Sequence, residues 1–271
     1  MKQESWQPKR KVETQYFEDV FGILKRVFTT SPEERVRLLN KSEFVGKWAW
    51  QAAQRMITGL FYDGARTWRR AAEESTKGGA IYRALQQELA GPVGQRVRAL
   101  VKENAQLISS LPLELAERAT ELSEESLVAG KRAGVLTGED IFARLSRTKA
   151  NLIARTEVSK ASTALTRARS ENVGVDWYVW ETSKDRRVRQ AHRKMQGLLV
   201  NFNHPPAPEL LIGIRSAGHY NAGDIYYCRC YPAPVIRPEL LSWPHRVYWG
   251  DRIQYMTLTQ FRNIYEVRRA A

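Results

Sequence analysis

Val175-Asp176-Trp177-Tyr178-Val179-Trp180-Glu181-Thr182 follows Gly174 and is dense in β-branched and aromatic residues, which reads as a strand. The residues before Gly174 obey a different period. From Asn151 to about Glu171, Ala154, Val158, Ala161, Leu165 and Ala168 recur at helical spacing and form a stripe of small and apolar side chains. Arg155, Lys160, Arg167 and Arg169 lie on the other side. Small side chains let a neighbouring backbone approach closely. The change from long helix to short strand near Gly174 predicts an α+β fold, with a mainly helical N-terminal part leading into a small mixed domain of a few short strands.

Upstream the pattern is helical. Residues 1–30 are mixed, and the basic run Pro8-Lys9-Arg10-Lys11 suits an arm. Ser31-Pro32-Glu33-Glu34 opens a helix: serine can cap, proline suits the first helical position, and acids favour the positive end of the dipole. Phe44 to Arg70 reads as helix, weakened by Gly59 and Gly64 at up to about 1 kcal/mol each relative to alanine. Gly78-Gly79 punctuates the chain. After Gly91-Pro92, the positions Val93, Val97, Leu100, Val101, Asn104 and Ile108 share one face. That helix is expected to stop at Ser109-Ser110, before Leu111-Pro112, with another beginning at Leu113. Thr137-Gly138-Glu139-Asp140 has the form of a capping box. Downstream, a short helix or turn from Lys184 to Gln196 precedes the loop His204-Pro205-Pro206-Ala207-Pro208. Extended pieces then surround Tyr226-Tyr227-Cys228-Arg229-Cys230-Tyr231. The expected organisation is a helical region over 1–150, a mixed core over 151–235 and an aromatic-rich C-terminal tail over 236–271.

The chain of 271 residues is 43% hydrophobic, enough to build a core, and its eight Trp and eleven Tyr argue against disorder. Lys and Arg total 43 against 29 Asp and Glu, a net charge of +14. The excess is spread along the chain, which suits a position beside nucleic acid or an acidic partner. No apolar run approaches the roughly 20 residues needed to span a bilayer, and Met1-Lys2-Gln3-Glu4-Ser5-Trp6 has no apolar core of a signal peptide. A pair of cysteines, Cys228 and Cys230, is too few and too close for a disulfide framework, so folding in a reducing cytoplasm is expected.

Three pieces occur in order: Ile153-Ala154-Arg155-Thr156-Glu157; Trp180 with Asp185-Arg186-Arg187-Val188-Arg189-Gln190-Ala191-His192 and Gly197; and Gly223 with Cys228-Arg229-Cys230. Together they resemble the phage head-morphogenesis family, the Mu F-like minor head proteins, over roughly residues 80–235. That family's pattern is an "ARTE" helix, a "W…D-x-R-V-R-x-x-H…G" segment and a terminal "CRC". The resemblance implies a minor capsid protein, not an enzyme, that sits in the procapsid or virion interior near the portal vertex. The implied partners are the portal protein, scaffold or major capsid protein, and non-specific double-stranded DNA; no membrane is implied. Tyr227 stands where the family often has Asn before its "CRC", and 236–271 lies beyond the shared region.

Arg155, Glu157, Trp180, Asp185, Arg189, His192, Cys228 and Cys230 carry the motif and are read as structural, with no catalytic group assigned. On a helix Asp185, Arg189 and His192 would share a face, with Asp185 pairing to Arg189. Cys228, Cys230 and His192 offer the chemistry of a tetrahedral zinc site, with His204 or His219 as a fourth ligand. Against that, the single intervening residue is unusual, and two buried thiols acting as small apolar groups or a strained bridge formed only on oxidation are the alternative readings. Arg155 can hold an anion or form an internal ion pair, for example with Glu181 or Asp185. Arg186, Arg187, Arg189, Arg193 and Lys194 form the densest basic cluster, close in sequence to Trp177, Tyr178 and Trp180; the first two with Arg193 and Lys194 either bind nucleic acid through phosphates and stacking or form a solvated helix face beside a core strand. The competing classes are a metal-dependent nuclease or other enzyme using Asp185, His192 and the cysteines, and a free DNA-binding protein. The aromatic tail either docks on another head protein or packs on its own domain.

Overall fold

The structure is a computed structural model that describes residues 6–31, 34, 37–38, 42–73, 78–128 and 138–266. Helices α1 (Arg10–Thr29), α2 (Ser42–Glu73), α3 (Gly78–Gln87), α4 (Pro92–Val128) and α5 (Gly138–Asn172) come first. Strand β1 (Trp177–Glu181), helix α6 (Gln190–Met195), and strands β2 (Leu198–Asn201), β3 (Tyr231–Pro234), β4 (His245–Trp249) and β5 (Arg252–Met256) follow, with α7 (Leu258–Glu266) last. The fold is α+β, as the change of period at Gly174 predicts. Two units interleave in sequence: a helical unit of Arg10–Gly59 and Arg98–Glu157, and a sheet-bearing unit of residues up to Lys9, Leu60–Val97 and Val158 onward.

In the helical unit α1 takes the place of the expected arm. Tyr16, Val20, Ile23, Leu24 and Val27 recur on one buried face, and that periodicity outweighs the basic residues around them. The Tyr16 hydroxyl donates to Asn104 Oδ1 at 2.9 Å, and Asn104 Nδ2 donates to the Leu100 carbonyl at 3.0 Å. That explains a polar residue in an apolar stripe: both partners are buried and both are satisfied. Helix α4 does not stop before Pro112 but runs through it. Ile108, Leu111 and Leu115 are buried on either side of the proline, so the apolar face continues across it. The Ser109 and Ser110 hydroxyls bond back to the carbonyls of Ala105 and Leu107 at 2.8 and 2.9 Å, supporting the turn that Pro112 weakens. The Ser31 cap accepts the Glu34 N–H at 3.3 Å, while Pro32, Glu33 and the capping residue Thr137 lie outside the described residues.

The sheet-bearing unit holds a mixed five-stranded sheet of order β3-β1-β2-β4-β5. All pairings are antiparallel except β2 with β4, where Leu199 faces Val247. β1 is buried on both faces, and its alternation sorts two cores. Trp177 and Val179 face Leu199, Ala233, Val247 and Phe261, whereas Tyr178 and Trp180 face Leu198, Val200, Phe202 and the two cysteines. The aromatic C-terminal segment packs on its own unit: Phe261 is fully buried, with ring centroids 5.0 Å from Trp177 and 5.2 Å from Trp243.

Helix α5 brings Arg169, on the side opposite the small-residue stripe, inward. It is 2% exposed and pairs with Glu88, itself 4% exposed.

Candidate functional site

The segment from Phe202 to Cys230 links β2 to β3 with only a single 3-10 turn, Leu210–Ile212, and no strand. A connection of that length needs fastening, and the sheet supplies it. Tyr178 on β1 donates its hydroxyl proton to Asn221 Oδ1 at 3.1 Å and accepts the Ala222 N–H at 3.2 Å. Burial drives the Tyr178 hydroxyl far above its usual range, so it stays protonated. Thr163 on α5 donates to the Ala222 carbonyl at 2.6 Å. Gly223 follows at φ +96°, where an added Cβ would lie 2.4 Å from Thr163 Oγ1 and 3.0 Å from the Cys230 carbonyl. These contacts aim the end of the loop, and with it Cys228 and Cys230, at the Trp180 face of the sheet.

There His192 from α6 meets both cysteines. Its Nδ1 lies 3.5 Å from each sulfur, and the three ligand-type atoms fall within 4.8 Å of one another. All three residues are buried, at 2–3% exposure. Behind the ring, His192 Nε2 is 3.0 Å from the Tyr220 hydroxyl, which donates to Glu209 Oε1 at 2.5 Å. Burial and the Glu209 bond raise the Tyr220 hydroxyl far beyond its usual range, so this oxygen keeps its proton for Glu209. The tyrosine oxygen therefore accepts the Nε2 proton, and Nδ1 presents its lone pair to the sulfurs. The Cys230 thiol donating to the Cys228 sulfur pulls Cys228 well below the usual thiol range, against the cost of burial. The same shared proton, together with burial, raises Cys230. The buried indole N–H of Trp180 has no other hydrogen-bond partner and favours charge on Cys230.

His204 and His219 are exposed and stand apart from this cluster, with His219 Nδ1 bonded to the Pro205 carbonyl at 3.0 Å. Asp185 and Arg189 precede α6 and do not share a helical face. Asp185 pairs with Arg229 at 2.9 Å and accepts the Arg187 N–H; burial pushes its carboxyl up, and the Arg187 bond, the Arg229 charge and Ser183 together outweigh it and hold the carboxyl below the usual range. Arg189 donates to the Tyr226 carbonyl at 2.9 Å and stacks on that ring at 4.8 Å. Both residues therefore pin the 226–229 segment from outside. Arg155 pairs with Glu13 at 3.4 Å, so its partner is neither of the acids expected; it and Glu157 belong to the helical unit. Sequence reasoning missed Tyr220 and Glu209, which carry no motif. The adjacency of Tyr220 to His219 and of Glu209 to the proline loop gave no sign that they converge on His192.

Arg186, Arg187, Arg193 and Lys194 are all exposed. Arg193 is tied to the carbonyls of Val188 and Arg186 at 3.0 and 3.1 Å. Trp177, Tyr178 and Trp180 are at most 1% exposed, so they are core residues and cannot stack on bases.

A helical N-terminal part leads into a small mixed sheet that carries a buried Cys-x-Cys closed on a histidine. The model of the family described as Phage Mu protein F like protein matches residues 69–232, more than half of the chain, and the chain belongs to that family. A protein of Haemophilus influenzae, described only as uncharacterized, is 30% identical over 145 residues, covering 53% of this chain and 30% of that protein. The chain thus matches less than a third of that relative's length. No solved structure matches. No described helix is long and apolar enough to cross a membrane.

Proposed function

We propose that the protein is a non-catalytic minor head protein that acts at the portal vertex during procapsid assembly. Its partners in this reading are the portal protein, scaffold or major capsid protein, and packaged double-stranded DNA bound without regard to sequence. Membership of the head-morphogenesis family over residues 69–232 carries the reading. The net charge of +14 supports it, because the interior of a filling head is crowded with polyanion. An enzyme built on Asp185, His192 and the cysteines is disfavoured: Asp185 is engaged by Arg229 outside the cluster, and the cluster itself is closed to solvent.

Quantitative mass spectrometry of procapsids and mature particles from the source phage tests this. Low-copy presence in procapsids is expected, and a fall on maturation would mark a transient assembly role. Absence from both particle types would overturn the reading.

A further inference from the structure

We propose that Cys228, Cys230 and His192 bind one soft divalent cation of the zinc class, with Tyr220 and Glu209 as the pair that orients the histidine. Two thiolates and an imidazole are the donors such an ion prefers, and they already lie within 4.8 Å of one another in a buried position. The histidine is set for ligation before any ion arrives. Glu209 accepts the hydrogen bond of the Tyr220 hydroxyl at 2.5 Å, the Tyr220 oxygen accepts from Nε2–H at 3.0 Å, and Nδ1 is left bare toward both sulfurs. Outer partners of this kind accompany metal-bound histidines and fix their tautomer. A pair of thiols acting only as small apolar groups would have no use for a polar relay running away from them.

Charge and topology agree. A divalent cation with two thiolates is neutral, which suits a site 2–3% exposed. Binding expels any remaining thiol protons to solvent, and the imidazole keeps its Nε2 proton. The cation would join α6 to the far end of the Phe202–Cys230 segment, clamping a long connection that has little regular structure of its own. Among the described residues the protein supplies three ligands, which would leave the fourth position to a small donor such as water. Because the groups are buried, the ion holds the fold and does not meet a substrate. A disulfide between the same cysteines would need an oxidant, and it would leave the His192 relay facing nothing.

The test uses the full chain, purified under reducing conditions without chelator. Elemental analysis should find one zinc per chain. Cobalt(II) should replace it and give the thiolate-to-metal charge-transfer absorption, and a thiol reagent should be silent until a chelator strips the ion. Cys228→Ser should abolish the cobalt band. Tyr220→Phe should keep the band but weaken metal affinity by about 10–100-fold, whereas a packing role for Tyr220 would lower Tm and leave affinity unchanged. A folded wild-type chain that neither retains zinc nor binds cobalt would overturn the proposal, as would a mass two hydrogens lighter, which marks a disulfide. These readouts are made on the isolated chain and do not depend on its place in the head.

Discussion

Arg169 and Glu88, 81 residues apart in sequence, meet as a two-pronged buried ion pair, Nε to Oε2 at 2.7 Å and Nη2 to Oε1 at 2.9 Å. Nη2 also donates to the Phe61 carbonyl at 2.9 Å, and the guanidinium lies over the Phe61 ring at 4.7 Å. Removing either partner strands a charge in the core, so Arg169→Ala and Glu88→Ala should each cost about 3–5 kcal/mol in denaturant unfolding. Arg169→Lys should rescue little, since a point charge cannot reproduce the fork.

Gly64 exists for that guanidinium. A Cβ there would sit 2.4 Å from Arg169 Nη1, and the group cannot swing away without giving up its bonds. Gly64→Ala should therefore destabilise the fold, although alanine is the better helix former by up to about 1 kcal/mol. A Tm equal to or above that of the wild type would show that the arginine yields freely.

Gly223 and Gly174 both have positive φ, +96° and +69°, but only Gly223 is crowded. Gly174→Ala should show the backbone cost alone, about 1–2 kcal/mol. Gly223→Ala should cost more and also disturb the cysteines, because its Cβ meets Thr163 and the Cys230 carbonyl. Comparing the two melting temperatures isolates the crowding; equal losses would remove it.

Burial raises the Asp224 carboxyl from 3.8 to about 6, against the Asn221 backbone N–H, Arg167 and Lys160, which pull it down. The folded chain holds that proton more tightly than the unfolded chain. The stabilising contribution is thus full below the unfolded value and is lost as pH rises through about 6. Asp224→Asn should gain on the order of 1–2 kcal/mol at neutral pH, an advantage that shrinks as pH is lowered toward about 4. Unfolding measured across that range checks it, and a pH-independent difference would contradict it.

Arg186, Arg187 and Lys194 are exposed, whereas Arg193 is bound to backbone carbonyls. If the first three neutralise phosphates, replacing them with alanine should make the log–log salt dependence of DNA binding shallower by roughly 0.9 for each phosphate no longer held. Affinity should fall equally on unrelated sequences. An unchanged slope would take the cluster out of any DNA interface.

The strand at Trp177 and the helices α2 and α5 were legible because period is local, whereas a meeting of His192 with the cysteines was one of several readings the sequence left open. The relay to Tyr220 and Glu209 was not legible, because it is assembled by a loop without periodicity. Pro112 misled for the opposite reason: a local rule gave way to an apolar face that continues through Leu111 and Leu115. The buried pairing of Arg169 was not legible because nothing near it in sequence announces Glu88. Asp185 and Arg189 have helical spacing, yet helix begins only at Gln190.

The parallel pairing of β2 with β4 reaches past the end of the family match at residue 232, since β4 begins at His245. The boundary of the shared sequence is therefore not a boundary at which the chain can be cut. A fragment ending there would strip β2 of its outer neighbour and uncover Trp177, whose partner Phe261 would be gone. The bare hydrogen-bonding edge would invite strand pairing between molecules, and such a fragment should accumulate as insoluble aggregate.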